Sequence, residues 1–173
     1  MARRDEILDA VQALTLQTGK LPSIEAVARA AGLTKQGVLH HFPTRAALDR
    51  AVVLRALDQV DAAMERAARE GSPLETYLRL SAPADEDRAA ALVVTAGLRD
   101  GAGLALPPEV EAAAARWQQM LADEVGDEVL GEVVRLTGDG LFSEALVTGA
   151  PPDRERVDRL VAWFRSAAAG TAS

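Results

Sequence analysis

An all-α chain is predicted by three observations. Hydrophobic residues make up 49% of the 173 residues but aromatics only 3%, so any core must be built from Ala, Leu and Val. Alanine loses no side-chain entropy in a helix and therefore favours it over strand. No run of four or more residues alternates apolar and polar with β-branched enrichment, while apolar residues recur at helical spacing along the chain.

Residues 3–17 form the first predicted helix, with Ile7, Leu8, Val11 and Leu14 as an apolar stripe and Gly19 as its stop. Arg3 and Arg4 make a short basic arm at its start. The stretch Pro22–Leu48 then reads helix, sharp turn, helix, stop, new helix. Ser23 can cap a helix over 23–30, because its hydroxyl can accept an N–H left unpaired in the first turn. Ile24, Val27 and Ala28 share one face of it. Ala30 and Ala31 leave little side chain in the way of a crossing helix, and Gly32 can take the positive φ that ends one. Thr34 caps the next helix, 34–42, and Pro43 stops it by disfavouring helix at the residue before. Two short helices across a glycine turn are the helix-turn-helix pattern.

Thr44 caps a long helix over 45–70 that carries Leu48, Val52, Leu57, Val60 and Met64 and ends at Gly71. Ser72-Pro73-Leu74-Glu75 is a capping box with proline at the first helical position, opening a helix to about 81. Pro83 and the carboxylates of Asp85, Glu86 and Asp87 open another to about Leu98, since anions suit a helix N-terminus. Residues 99–106 are predicted as loop. Gly101 and Gly103 do not make a dinucleotide loop, because no strand precedes them and Leu106 stands where a third glycine is needed. Helices over 108–124, 127–148 and 153–168 follow, about nine in all.

The order Ala30-Ala31-Gly32, Leu33, Thr34-Lys35, then Leu39-His40-His41-Phe42-Pro43-Thr44-Arg45 and Leu48 resembles the DNA-binding domain of the TetR family of bacterial transcriptional regulators. The resemblance covers roughly residues 5–53. The family usually carries a tyrosine in the second half of the recognition helix, where this chain has Leu39 and His40, and often a lysine where Arg45 stands. A helix-turn-helix domain over 1–46 and a helical ligand-binding and dimerisation domain over 47–173 are expected. Side chains at the start of a recognition helix meet base edges in the major groove. Gln36 can pair bidentately with adenine, Lys35 can reach guanine or phosphate, and Val38 can touch a thymine methyl. Gly37 lets the backbone approach the bases. Ser23, Thr34, His40, His41 and Arg45 are expected at phosphates, while Ile24, Val27, Leu39 and Phe42 hold the two helices together.

The charge supports one-ended binding. Residues 1–55 hold eight Lys/Arg against five Asp/Glu, a balance of +3; the remainder holds 11 against 21, or −10. Phosphate attraction acts within about a Debye length of ~10 Å, so the sign of the presented face matters more than the total of −7. The absence of cysteine excludes disulfides, thiol catalysis and thiolate metal sites. With no basic-then-apolar leader and no apolar run near eighteen residues, a cytoplasmic chain without membrane association is expected.

An enzyme reading finds no footing. A carboxylate di-metal bundle needs Glu-x-x-His pairs, and Gly37 and Val38 stand three residues before the only histidines. Adjacent histidines on a helix also point about 100° apart, so no metal and no cofactor are expected.

The C-terminal half carries two broad apolar faces. The family resemblance implies a homodimer through four helices, with Leu130, Val134, Gly138, Leu141, Phe142, Ala145, Val157, Leu160, Val161 and Phe164 as its interface. Gly131, Gly138 and Ala145 form a row of small residues that lets another helix come close. Met64, Tyr77, Leu92, Thr95, Ala96, Trp117 and Met120 are candidate lining for a small, largely apolar effector. The expected function is a repressor released from a pseudo-palindromic operator by that effector; the alternative is a dimeric helical adaptor or regulator without small-molecule control.

Overall fold

A computed structural model describes residues 2–18, 21–82, 107–148 and 150–171. Among them are eight helices: α1 (Ala2–Thr18), α2 (Ile24–Ala30), α3 (Lys35–His41), α4 (Arg45–Glu70), α5 (Pro73–Leu80), α6 (Pro108–Val125), α7 (Glu128–Thr148) and α8 (Arg154–Thr171). The helix expected from Asp85 to Leu98, the loop over 99–106 and the stop at Gly19 lie outside the described residues. No helix among the described residues is long and apolar enough to cross a membrane.

The chain forms two compact units, which part at Ala56 and Leu57 within α4. In the first, Ile7, Leu8 and Val11 of α1, Val27 and Ala28 of α2, Val38 of α3, Phe42, and Leu48, Ala51 and Val52 of α4 form one core. Local chemistry places its helices. Ser23 Oγ accepts the Ala26 N–H at 3.1 Å and Thr44 Oγ1 accepts the Ala47 N–H at 3.1 Å, each satisfying a donor in a first turn. Gly32 sits at φ +65°, and the Leu33 N–H returns to the Ala28 carbonyl at 2.8 Å, closing α2. The glycine turns α3 across α2.

In the second unit, α5 packs on α6, α7 and α8, and α6 lies along α7. Its core gathers Met64, Leu74, Tyr77, Leu78, Leu121, Val125, Val134, Leu141, Val157, Val161 and Phe164. Two glycines of α7 allow the closest approaches. A Cβ on Gly131 would stand 2.8 Å from the Ala122 backbone, and one on Gly138 would stand 2.5 Å from Tyr77 Cε1. The row of small residues therefore seats α6 and α5 of the same chain, not a helix of another. The capping box at 72–75 does not form either: Ser72 makes no side-chain cap. Glu124 of α6 accepts the Leu74 N–H at 2.5 Å instead, and Glu75 pairs with Arg79 and Arg165, both at 2.8 Å.

Candidate nucleic-acid interface

Which face of α3 looks outward is settled by two buried residues. Val38 is fully buried and Phe42 nearly so, at i and i+4, which turns one side of the helix into the core. Gln36 and His40 project roughly opposite, with Lys35 and His41 also exposed and Gly37 half-buried. Thr34 Oγ1 accepts the Gly37 N–H at 3.0 Å, so this threonine caps α3 as Ser23 caps α2; each hydroxyl keeps a proton to donate. At Gly37 a Cβ would meet Thr34 Oγ1 at 3.4 Å, an ordinary contact, so the glycine is not forced by packing.

Three cations of this unit have partners in the free protein. Lys35 Nζ donates to Glu25 Oε1 at 2.6 Å, and this ammonium holds the Glu25 carboxyl below its ordinary value. Arg3 pairs with Glu6 at 3.0 Å, and the Arg4 guanidinium lies 5.1 Å over the Phe42 ring. The His40 and His41 rings meet edge-on, 5.4 Å apart. Among the described residues no three His, Asp or Glu side chains gather as a metal site would need.

Two expectations are corrected, and a third residue proves to have partners within the protein. Val38 cannot touch a thymine methyl, because it is sealed in the core with Phe42. Leu39, expected to pin α3, lies about 100° around the helix from Val38 and is only half-buried. Arg45, expected at a phosphate, is half-buried and has protein acceptors in the free protein: Nε lies 2.8 Å from both Asp49 oxygens and Nη1 donates to the Pro22 carbonyl at 2.6 Å.

The C-terminal expectations shift in the same manner. Val134, Gly138, Leu141, Ala145, Val157, Val161 and Phe164 are buried within their own subunit, and Leu130 and Leu160 pack against that core, with Phe142 half-buried. They are core residues because α5 and α6 fill the space beside them. The exposed apolar residues are others: Val129, Val133, Leu136 and Val147 of α7 and Trp163 of α8. The four on α7, with Gly140 between, follow helical spacing along one stripe. Excess apolar residues on a second face of α7 were the available sequence signal.

Met64, Tyr77, Trp117 and Met120 do come together, but as core. Tyr77 donates its hydroxyl proton to Asp139 at 2.8 Å, and Trp117 Nε1 donates to Asp61 at 2.6 Å. Burial, then the Asp139 charge, pushes the Tyr77 hydroxyl up, so it remains a donor. Leu92, Thr95 and Ala96 lie outside the described residues. An open cleft of about 580 Å³ runs along Glu6, Asp9, Ala10, Leu14 and Ala31, and one of about 310 Å³ along Arg79, Pro151, Pro152 and Arg154; none of the candidate lining faces either.

Residues 71–168 match the family described as tetracyclin repressor-like, C-terminal domain. The chain belongs to the TetR family. No curated protein matches it in sequence. Solved structures share the family's fold. A transcriptional regulator from Rhodococcus sp. Rha1 superposes with a TM-score of 0.73 at 20% identity, over 93% of this chain and 92% of that one. A structure concerning control of antibiotic production by bacterial hormones gives 0.71 at 23% identity, over 96% and 97%. A TetR-family member from Streptomyces coelicolor A3 gives 0.66 at 20% identity, over 95% and 98%. As a TetR-family transcriptional regulator, the chain has an all-helical fold with its helix-turn-helix at the N-terminal end.

Proposed function

We propose that this TetR-family regulator is a cytoplasmic repressor that binds a pseudo-palindromic DNA operator as a homodimer and leaves it when a small, largely apolar effector binds. The observation that carries the reading is the outward face of α3. Lys35, Gln36, His40 and His41 are exposed there, as are the caps Ser23 and Thr34; in this reading Gln36, Lys35 and the backbone at Gly37 take base edges, and Ser23, Thr34, His40 and His41 take phosphates. Gln36 selects adenine by pairing with N6 and N7. Lys35 exchanges its Glu25 partner for DNA.

The dimer forms through the exposed stripe of α7, Val129, Val133, Leu136 and Val147, with Trp163 of α8. A second copy covers these side chains, and the two recognition helices then read half-sites about one helical turn apart, ~34–36 Å, or a multiple of it. Control by a hormone, named for one structural relative, supports a small-molecule effector here. Such an effector releases the operator only by its differential affinity for two conformations, typically ~1–3 kcal/mol. α4 transmits the shift, since it contributes to both cores. No catalytic role enters this reading.

Selection of duplexes from a random pool by the purified chain tests it. Enriched sequences carry two half-sites related by a two-fold axis. A single unrepeated half-site, or no enrichment, defeats the proposal.

A further inference from the structure

We propose that Arg45 and Asp49 are a clamp that positions the recognition helix, and that Asp49, although an acid on the DNA-binding head, raises affinity for DNA. The inference rests on the DNA-binding reading above. Helix energetics do not account for the pair. Arg45 is the first residue of α4, where a cation opposes the helix dipole, and an acid four residues after a base is the weaker order for an ion pair.

The tertiary contacts do account for it. The Arg45 guanidinium joins two acceptor groups: the Asp49 carboxylate, both oxygens at 2.8 Å from Nε, and the Pro22 carbonyl at 2.6 Å from Nη1. Pro22 directly precedes Ser23, the cap of α2. One side chain therefore ties the start of α4 to the start of α2, while Val27, Phe42, Leu48 and Val52 pack in the same core. Asp49 is only 6% exposed, so its charge is affordable only while Arg45 answers it. The planar guanidinium reaches both acceptors with fixed donors; an ammonium does not reproduce that fork. Pairing holds α2, and with it the α2–α3 turn, at one setting against α4. Without Asp49 the Arg45 Nη1–Pro22 contact stands alone, with nothing fixing the guanidinium through Nε, and the setting of α2 and α3 loosens.

Simple electrostatics predicts the reverse sign, because deleting an acid near DNA strengthens binding. Affinity for the duplex selected by the wild-type chain, measured across a salt series and well below each variant's melting temperature, separates the two. We expect Asp49→Asn to lose roughly tenfold in affinity with an unchanged salt slope. Arg45→Lys should lose a similar factor although its charge is kept, and Arg45→Gln should leave the slope unchanged. Equal or tighter binding by Asp49→Asn overturns the clamp. So does full affinity in Arg45→Lys together with a slope flattened by about 0.9 per subunit in Arg45→Gln, the mark of a phosphate contact. Should Asp49→Asn not fold, the two Arg45 variants decide alone. A wild-type chain that selects no duplex overturns the DNA-binding reading and the clamp with it, whereas normal wild-type binding with undiminished variants overturns the clamp only.

Discussion

Lys35 and Gln36 stand side by side at the start of α3, yet they are in different states before DNA arrives. Gln36 is exposed, while Lys35 is already neutralised by Glu25 at 2.6 Å. An exposed pair of this kind contributes little to stability, so its consequence is for binding. Glu25→Gln frees the ammonium and removes an acid from the same face. We expect tighter binding to non-specific duplex and a salt slope steeper by about 0.9 per subunit in filter-binding titrations. Gln36→Ala is expected to behave differently: a loss of about 1–3 kcal/mol on the operator, confined to the base pair it reads, with non-specific affinity unchanged. Equal losses on every duplex would remove Gln36 from base reading. The place of Lys35 and Gln36 in the first turn of α3 was legible in the sequence from the Thr34 cap. The inward turn of Val38 was less so, because Val38 and Leu39 are both apolar and only packing against Phe42 chooses between them.

At the scale of elements, α5 and α7 depend on neighbours that lie far along the chain. Glu124 reaches from α6 to cap α5, and its carboxyl is pushed up by burial more than the Leu74 N–H and Arg165 pull it down. A raised folded-state value means that the folded chain keeps a proton the unfolded chain releases. Stability from this group is complete below the unfolded value and declines as pH rises through the folded one. Glu124→Gln keeps an oxygen for Leu74 and should remove that decline; thermal melts from pH 4 to pH 7 (about the range of the unfolded carboxyl and above) would show a flatter profile than wild type. The glycines of α7 give opposite outcomes two residues apart. Gly138→Ala drives a Cβ into Tyr77 and Ser81 and should cost about 1–3 kcal/mol. Gly140→Ala meets open space in the subunit and should add about 0.5–1 kcal/mol to the melt of a monomeric background. A neutral Gly138→Ala would show that α5 and α7 are not in close contact.

For the whole molecule, the proposed dimer puts the exposed stripe of α7 at its interface. Leu136 is 53% exposed and Trp163 59%, surfaces that a second copy would bury. Leu136→Glu should yield a monomer in sedimentation with unchanged helical circular dichroism, because the residue is not part of the subunit core. Affinity for a two-half-site duplex should then fall by about 10²–10⁴, the advantage that linking two heads confers. A Leu136→Glu chain that stays dimeric would move the interface elsewhere. The charge division belongs to this scale too: the +3 of residues 1–55 against −10 beyond favours phosphate attraction by the N-terminal residues.

Helical character, the caps at Ser23, Thr34 and Thr44 and the Gly32 turn were determined by the sequence, because each depends on residues within a few positions of one another, and the charge division was too, because it is a sum over composition. Which apolar face turns inward was decided by the tertiary structure. α7 has more apolar surface than one core can cover, and Gly131 and Gly138 admit α6 and α5 from distant parts of the chain. The same reason moved the cap of α5 from Ser72 to Glu124 and gave Arg45 its partners Asp49 and Pro22. Short-range chemistry is written in adjacent residues, whereas the choice between competing partners exists only once those partners are within hydrogen-bonding or van der Waals distance.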